Sequence, residues 1–344
     1  MQTNTYNTMA EALRQALREE MKRDERVILL GEDIGKFGGA YSITKGLLDE
    51  FGENRVLDTP ISEIAIIGAA LGSAISGLRP VVEIQYCDFL TCCMDQIVNQ
   101  AAKTHLMFGG QMNVPMVIRA PLGVSGSRAA QHSQSLESWF AHIPGLKVVV
   151  PSNPYDAKGL LKSAIRDNNP VMFFEHKLLY GSKAPGDVGI QKKSEQSSVM
   201  ESATDEDYTI SLGKASIKKE GSDLTIIATM IMVHRCMDIA NEFEKKGINI
   251  EIIDPRTIVP LDKNAILNSV KKTGRVLIVT EEYPRCNFAS ELVAIIVDEA
   301  FDYLDAPVKR INIMDTPIPF APVCEKFVLP NKKRIVNAIE QLLQ

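Results

Sequence analysis

The sequence predicts an α/β fold built from mostly parallel sheets in two successive units, and three observations carry that expectation. Short uninterrupted apolar runs such as Val27–Leu30 and Val171–Phe174 recur along the chain, as strands buried on both faces require. Segments with apolar residues at helical spacing separate those runs, the alternation of strand and crossover helix. At roughly 100 to 200 residues per domain, a chain of 344 residues has room for two such units.

Taken in order, Met9, Leu13, Ala16, Leu17 and Met21 line one face of a helix over Thr8–Arg23, and Val27–Leu30 follows as a buried strand ended by Gly31. Further strands are predicted at Val81–Gln85, Pro115–Arg119, Leu146–Val150 and Val171–Phe174, with helices near Ser62–Gly77, Asp88–Lys103 and Pro154–Arg166. Between Gly181 and Tyr208 the periodicity gives way to Ser, Lys, Glu, Gln and Gly, the composition of solvated chain. Residues 1–185 and 210–344 are therefore expected as domains joined by a linker over 186–209. The second, smaller unit reads as strands at Leu224–Ala228, Ile248–Ile253, Val276–Val279 and Val308–Ile313. Its helices are expected over Val233–Lys246, after Asp262, over Ala289–Leu304 and from Lys332.

Composition excludes several function classes. An apolar fraction of 45% with 24% charged residues is that of a globular protein, not of a disordered or fibrous one. A net charge of -5 supplies no field to concentrate nucleic acid or anionic lipid. The longest uncharged apolar stretch, Ile64–Leu78, falls short of the about 18 to 20 residues of a bilayer span. The polar start Met1–Met9 lacks the pattern of a signal peptide, so a cytoplasmic location is expected. Six cysteines without a Cys-x-x-Cys pair read as free thiols in a reducing compartment. Phosphate-cradling glycine motifs and a hydrolase nucleophile elbow are both missing.

Two residues stand out for chemistry. Glu63 opens the apolar segment Ile64–Gly77, where its carboxylate can favour the positive end of a helix that Ser62 would cap, or can meet a cofactor nitrogen away from water. His132 lies in the polar patch Ala129–Ser135, after the Gly-rich loop Gly123–Gly126 and before Trp139 and Phe140, a setting suited to a titrating side chain. His105, His142, His176 and His234 have weaker settings. Gly68 and Gly72, four apart on a small-residue helix, suit close helix packing.

An ordered series of motifs then resembles one family. Gly31-Glu32-Asp33, the segment Asp58–Glu63, Gly77-Leu78-Arg79-Pro80, Asp95-Gln96-Ile97, Gln131-His132-Ser133-Gln134, the segment Pro144–Val149 and Asp156–Leu161 come in one order. Ala164–Asp167, Ile253–Thr257, Pro260-Leu261-Asp262, Lys272–Arg275 and Pro317–Phe320 continue it through nearly the whole chain. Together they resemble the β subunit of the thiamine-diphosphate-dependent first component of 2-oxoacid and acetoin dehydrogenase complexes. The resemblance implies a transketolase-like pyrimidine-binding domain followed by a transketolase C-terminal domain.

It also implies roles. Glu63 corresponds to the glutamate that hydrogen-bonds the aminopyrimidine nitrogen of thiamine diphosphate and promotes the tautomer that takes the thiazolium proton. His132 corresponds to the histidine that handles protons at the substrate end and assists acyl transfer to lipoyl. Tyr86, with Gln85 and Phe89, falls where the family packs an aromatic against the pyrimidine ring. Met116, Ala164, Ile165, Asp167 and Asn169 align with a structural potassium site built of oxygen ligands.

The usual signature for magnesium and diphosphate, Gly-Asp-Gly with a distal Asn, does not occur, its nearest approach being Gly186–Gly189. The resemblance therefore implies an α subunit that holds magnesium and the diphosphate in an α/β heterotetramer, and a lipoyl-bearing dihydrolipoyl acyltransferase core as the further partner. Cys92–Gln96, Met107–Gly110, Glu175–Tyr180 and Glu282–Cys286 favour the acetoin branch, whereas the short Gly35–Gly39 segment resembles pyruvate and branched-chain enzymes. A catalytically silent docking subunit is the reading from another class, and intact Glu63 and His132 argue against it. A self-sufficient transketolase-like enzyme is opposed by the missing diphosphate motif.

Overall fold

The computed structural model describes residues 5–181 and 201–344. Its larger sheet has seven strands: β2 (Val27–Gly31), β3 (Val56–Asp58), β4 (Arg79–Glu83), β5 (Val117–Leu122), β6 (Lys147–Val149), β7 (Val171–His176) and β12 (Thr257–Val259). They lie in the order β12-β6-β7-β5-β4-β2-β3, and all but β12 are parallel. A two-stranded ribbon pairs β1 (Thr5–Tyr6) with β8 (Ala203–Thr204). The second sheet runs β14-β13-β10-β11-β9, formed by β9 (Ser216–Lys219), β10 (Leu224–Ala228), β11 (Ile250–Asp254), β13 (Val276–Val279) and β14 (Lys309–Ile311), with only β9 antiparallel. Every residue of β2, β5, β7, β10, β11 and β13 is buried, which is why these strands read as continuous apolar runs.

The helices that cover the larger sheet begin on sequence signals. Helix Met9–Arg23 starts with a capping box in which Thr8 and Glu11 satisfy each other's backbone N–H groups. Helix Pro154–Arg166 is capped by Asn153, with proline at its first position. These two helices pack together, and Glu19 on the first receives Lys158 (2.8 Å) and Lys162 from the second, both lysines being buried. The last part of the expected linker is not solvated chain. Tyr208 stacks on Tyr155 with ring centroids 4.5 Å apart, and Lys158 donates to the Glu206 carbonyl at 3.0 Å. Most of that linker, including Gly186–Gly189, lies outside the described residues.

Three further differences from the sequence expectation have physical causes. β12 comes from the C-terminal half yet completes the larger sheet, so one strand crosses the expected boundary; its polar neighbours and three-residue length hide it from a periodicity reading. The segment expected as one helix over Asp88–Lys103 is instead a 3₁₀ stretch (Cys87–Cys93), a π-helical stretch (Gln96–Ala101) and a short α-helix (Ala102–Met107). Its first turn is tightened by the Thr91 hydroxyl, which donates to the Asp88 carbonyl at 2.9 Å. Ser62 precedes helix Glu63–Ile75 but makes no capping hydrogen bond, and the helix is not wholly buried: Ile64 and Ile75 are exposed along one side.

Beneath the strand ends lies a buried ion cluster. Arg119 on β5 donates through Nη1 to Glu83 of β4 (2.7 Å) and through Nε and Nη2 to Glu175 of β7 (2.7 Å each). Tyr180 adds its hydroxyl to Glu175 at 2.6 Å. Replacing Arg119 by Met leaves two carboxylates in the core without their counter-charge, and truncating one partner of a buried ionic cluster costs about 3 to 5 kcal/mol. Denaturant unfolding of Arg119→Met is expected to show a loss of that size, largely recovered when Glu83→Gln and Glu175→Gln are added. A single variant as stable as wild type would show that the cluster does not hold the strands.

Candidate active site

Parallel strands leave their carboxyl ends along one edge of the sheet, and the candidate residues follow those ends. β4 leads into Gln85 and Tyr86 and then the 3₁₀ turn with Phe89; β5 leads into the 123–136 loop with His132; β7 ends at His176 and Lys177; β3 leads towards Glu63. The 123–136 loop is closed at its base by Gly123, whose N–H donates to the Gln134 carbonyl at 3.0 Å. Gly123 has φ +85°, and a Cβ there would stand 2.2 Å from His176 Nε2, so only glycine fits this turn.

At the tip of these loops three rings meet edge to face. His132 stands 5.1 Å from Tyr86 at 84° and 5.5 Å from Phe89 at 81°, and Tyr86 and Phe89 are 5.5 Å apart at 80°. Arg128 Nη1 donates to the Tyr86 hydroxyl at 2.6 Å. Asp88 accepts from the backbone N–H (3.3 Å) and side-chain amide (2.9 Å) of Gln134, which fastens the histidine loop to the 3₁₀ turn. Lys177 donates its ammonium to the His132 carbonyl and lies 5.0 Å from the centre of the Tyr86 ring. Arg128, Asp88 and Lys177 were not singled out by the sequence, since each is an ordinary polar residue whose role depends on which loops meet. Lys177 left one signal: a charged residue directly after six buried strand residues.

Glu63 occupies the first turn of helix Glu63–Ile75, which packs against the 3₁₀ turn. It is half-buried, and among the described residues its carboxylate accepts no hydrogen bond. Its charge is felt by two neighbours: burial first and then Glu63 push the Cys93 thiol up to about 12, and burial, Asp33 and Glu63 together raise the Glu32 carboxyl. The structure thus unites His132, Tyr86 and Phe89, while Glu63 stands beside Cys93 at the other end of the same turn; no hydrogen bond joins it to His132. Gln85 is half-buried beside Tyr86. A cavity of about 500 Å³ lined by Ala130, Gln131, Gln134, Tyr283 and Asp315 opens next to the histidine loop. A larger one of about 750 Å³, between helices Ile231–Glu244 and Lys332–Leu342, contains none of these residues.

Several oxygens of the five residues aligned with potassium already accept hydrogen bonds. Arg79 Nη1 donates to the carbonyls of Ile165 and Asp167 at 2.9 Å each, and Lys147 is paired with the Asp167 carboxylate. The Met116 carbonyl accepts from Val171 N–H (2.9 Å), that of Ala164 from Asp167 N–H (3.2 Å), and Asn169 donates through both backbone and side chain to Asp167 Oδ1 (2.9 Å each).

Behind the histidine loop, acidic groups cross between the two units. His176 is paired with Glu281 at 3.0 Å, and Glu281 also accepts from Val124 N–H at 2.6 Å; His234 is likewise buried, against the Ser152 carbonyl at 2.6 Å. Glu137 and Glu282 are both buried, and the Ser138 hydroxyl donates to Glu282. Burial, then repulsion from Glu282, raises the Glu137 carboxyl well above its usual range, and burial pushes Glu282 up to about 7.

A parallel sheet that gathers histidine, aromatic faces and a free carboxylate at one edge, followed by a second and smaller parallel sheet, defines a transketolase-type chain. Residues 6–183 match the transketolase pyrimidine binding domain, and residues 213–335 match the transketolase C-terminal domain. The chain is 45% identical to the acetoin:2,6-dichlorophenolindophenol oxidoreductase subunit beta of Bacillus subtilis, over 98% of this chain and 97% of that one. It is 44% identical to the pyruvate dehydrogenase E1 component subunit beta of Rickettsia bellii and 43% identical to the 2-oxoisovalerate dehydrogenase subunit beta of Bacillus subtilis, each over 97% of this chain and 98% of the relative. A solved split-gene transketolase, described as an inactive beta4 tetramer, shares the fold with a TM-score of 0.75 over 98% of both chains at 19% identity. The protein belongs to the transketolase-like family of β subunits of the first component of 2-oxoacid and acetoin dehydrogenase complexes. Among the described residues, no helix is long and apolar enough to cross a membrane.

The Glu137–Glu282 pair gives a pH dependence with a definite sign. Both carboxyls bind a proton more tightly folded than unfolded; the contribution of Glu282 to stability is full below the unfolded value near pH 4.5 and is lost as pH rises through about 7. Glu282→Gln keeps a neutral group at that site. Its stability relative to wild type is expected to rise between pH 5 and pH 8, by about 1 to 3 kcal/mol, in thermal unfolding at a series of pH values. A variant whose offset from wild type is the same at every pH would remove the pair as the source.

Proposed function

We propose that this chain is the β subunit of a thiamine-diphosphate-dependent acetoin dehydrogenase, which cleaves the substrate carbon–carbon bond and passes the acyl group to lipoyl on an acyltransferase core. The observation that carries the reading is the pairing of a partnerless carboxylate at Glu63 with the ring cluster of Tyr86, Phe89 and His132 around one turn. Bound thiamine diphosphate supplies a carbon nucleophile for attack on a carbonyl. This chain's residues suit the pyrimidine half: Glu63 offers a carboxylate that can hold a proton against a basic ring nitrogen, and Tyr86 and Phe89 offer flat faces. His132 offers an imidazole for proton transfer at the substrate end.

The diphosphate and its magnesium are assigned to a separate α subunit in an α/β heterotetramer. The exposed apolar residues Ile64 and Ile75 along helix Glu63–Ile75, with Ile61 just before it, support a partner covering that face. The acetoin assignment rests on the local segments Cys92–Gln96, Met107–Gly110, Glu175–Tyr180 and Glu282–Cys286, because identities of 45%, 44% and 43% do not rank the three substrates. The short Gly35–Gly39 segment favours pyruvate or a branched-chain 2-oxoacid as the second reading.

The test uses the assembled α/β enzyme. Calorimetry is expected to show negligible thiamine diphosphate binding to β alone and magnesium-dependent binding once α is added. Glu63→Gln should retain that binding yet slow turnover by about 100- to 10,000-fold, with a matching fall in deuterium exchange of the thiazolium proton. Exchange as fast as wild type would leave Glu63 a role in its helix alone. Comparing kcat/KM for acetoin, pyruvate and branched-chain 2-oxoacids decides the substrate, and a preference for either 2-oxoacid class would replace the acetoin assignment.

A further inference from the structure

We propose that Lys177 is a positioning residue for the site: its buried ammonium holds the main chain of His132 and the face of Tyr86 in register, so that the imidazole is presented at a fixed place. The proposal rests on the thiamine diphosphate reading of that site.

The burial of Lys177 is anomalous. Lys177 is 3% exposed, and lysines are almost never buried to this degree unless a carboxylate is paired with them. Among the described residues Lys177 makes no ion pair, and its one hydrogen bond goes to the His132 carbonyl. Its other contact is the Tyr86 ring, on which Arg128 also sits with its guanidinium carbon 5.8 Å from the centre. The desolvation of this ammonium is offset in part by the fields of Asp88 and Glu281, while its direct contacts are two partners that both belong to the ring cluster. A lysine serving only the sheet would point to the acids nearest the strands; this one reaches forward from the end of β7 to the tip of the loop that follows β5.

Carbonyl capture restrains the peptide plane at His132, and that plane sets the direction of the Cα–Cβ bond from which the imidazole hangs. The cation over Tyr86 fixes the second ring of the cluster, and the Tyr86 hydroxyl is fixed in turn by Arg128. Charged and titratable groups facing Lys177 are Cys87, Asp88, Arg128, Glu281 and Glu325. Burial outweighs the favourable ones and brings the ammonium down to about 8. The clamp therefore weakens as pH rises past that point.

In the assembled α/β enzyme, Lys177→Met is expected to lower kcat about 10- to 100-fold while KM and thiamine diphosphate affinity stay within about threefold, the pattern of a misdirected proton-transfer group. Lys177→Gln, which restores a neutral donor, should recover at least half of that loss on a logarithmic scale. The alkaline fall of kcat near pH 8 in wild type should be missing in Lys177→Met. Hydrogen exchange provides a readout apart from turnover: amides of residues 128–134 should exchange at least tenfold faster in Lys177→Met, with strands β5 and β7 unchanged. Unchanged exchange in that loop, or kcat within threefold of wild type, would overturn the proposal. So would exchange accelerated throughout the sheet, which would make Lys177 a residue of the fold. If wild-type enzyme binds no thiamine diphosphate, the cofactor reading fails while the loop exchange still decides the clamp.

Discussion

The guanidinium of Arg119 is the point from which the architecture of this edge is set. It is central in the sheet, on β5, and its two carboxylate partners are on the strands to either side. Glu83 is directly opposite Arg119 in register, and Glu175 is two residues beyond the residue opposite it on the other strand. The same three strands then run on into Tyr86, the His132 loop and Lys177. A shift of β4 or β7 against β5 would break charge-assisted bonds in a place with no water to replace them, so the relative height of the three strand ends is tightly held. Edge-to-face ring contacts near 5 Å tolerate little displacement, and a rigid base for the loops is what makes such a cluster possible.

Above that base the charges are segregated. The cations Arg128 and Lys177 converge on Tyr86, whereas Glu63, Glu32 and Asp33 lie together beyond the 3₁₀ turn. Burial is the first cause of both the raised Glu32 carboxyl and the lowered Lys177 ammonium, so each shift reports a group withdrawn from water.

Much of the sheet was legible because buried parallel strands leave an unbroken apolar run: Leu224–Ala228 and Val276–Val279 were read with the bounds the structure has. What escaped were elements whose placement depends on remote chain. β12 is three residues long and finds its partner more than 100 residues earlier in sequence, at β6. The Gln96–Ala101 π-helical turn has apolar spacing close enough to an α-helix that periodicity cannot separate them. Motif context singles out His132 and Glu63 as candidates but not their arrangement: the Tyr86–Phe89–His132 contact, the Lys177 hydrogen bond to the His132 carbonyl and the Arg119 cluster are long-range pairings that no local pattern encodes. The contact of Arg79 with the Ile165 and Asp167 carbonyls is long-range in the same way, since nothing near 164–169 in sequence announces it.

The side of helix Glu63–Ile75 that carries Ile64, Ala65 and Ala69, with Ile61 just before it, bears on why the site reads as half of a larger one. A helix apolar on all sides belongs in an interior, yet here its residues on one side face solvent. Glu63 sits at the head of that open side, so under the proposed function the surface that covers the helix is also the surface that closes over the carboxylate. Covering the apolar stripe and drying the proton-holding group then become a single event. Under that function, the carboxylate would keep its hydrogen-bond acceptor capacity for a group that arrives as the helix face is covered.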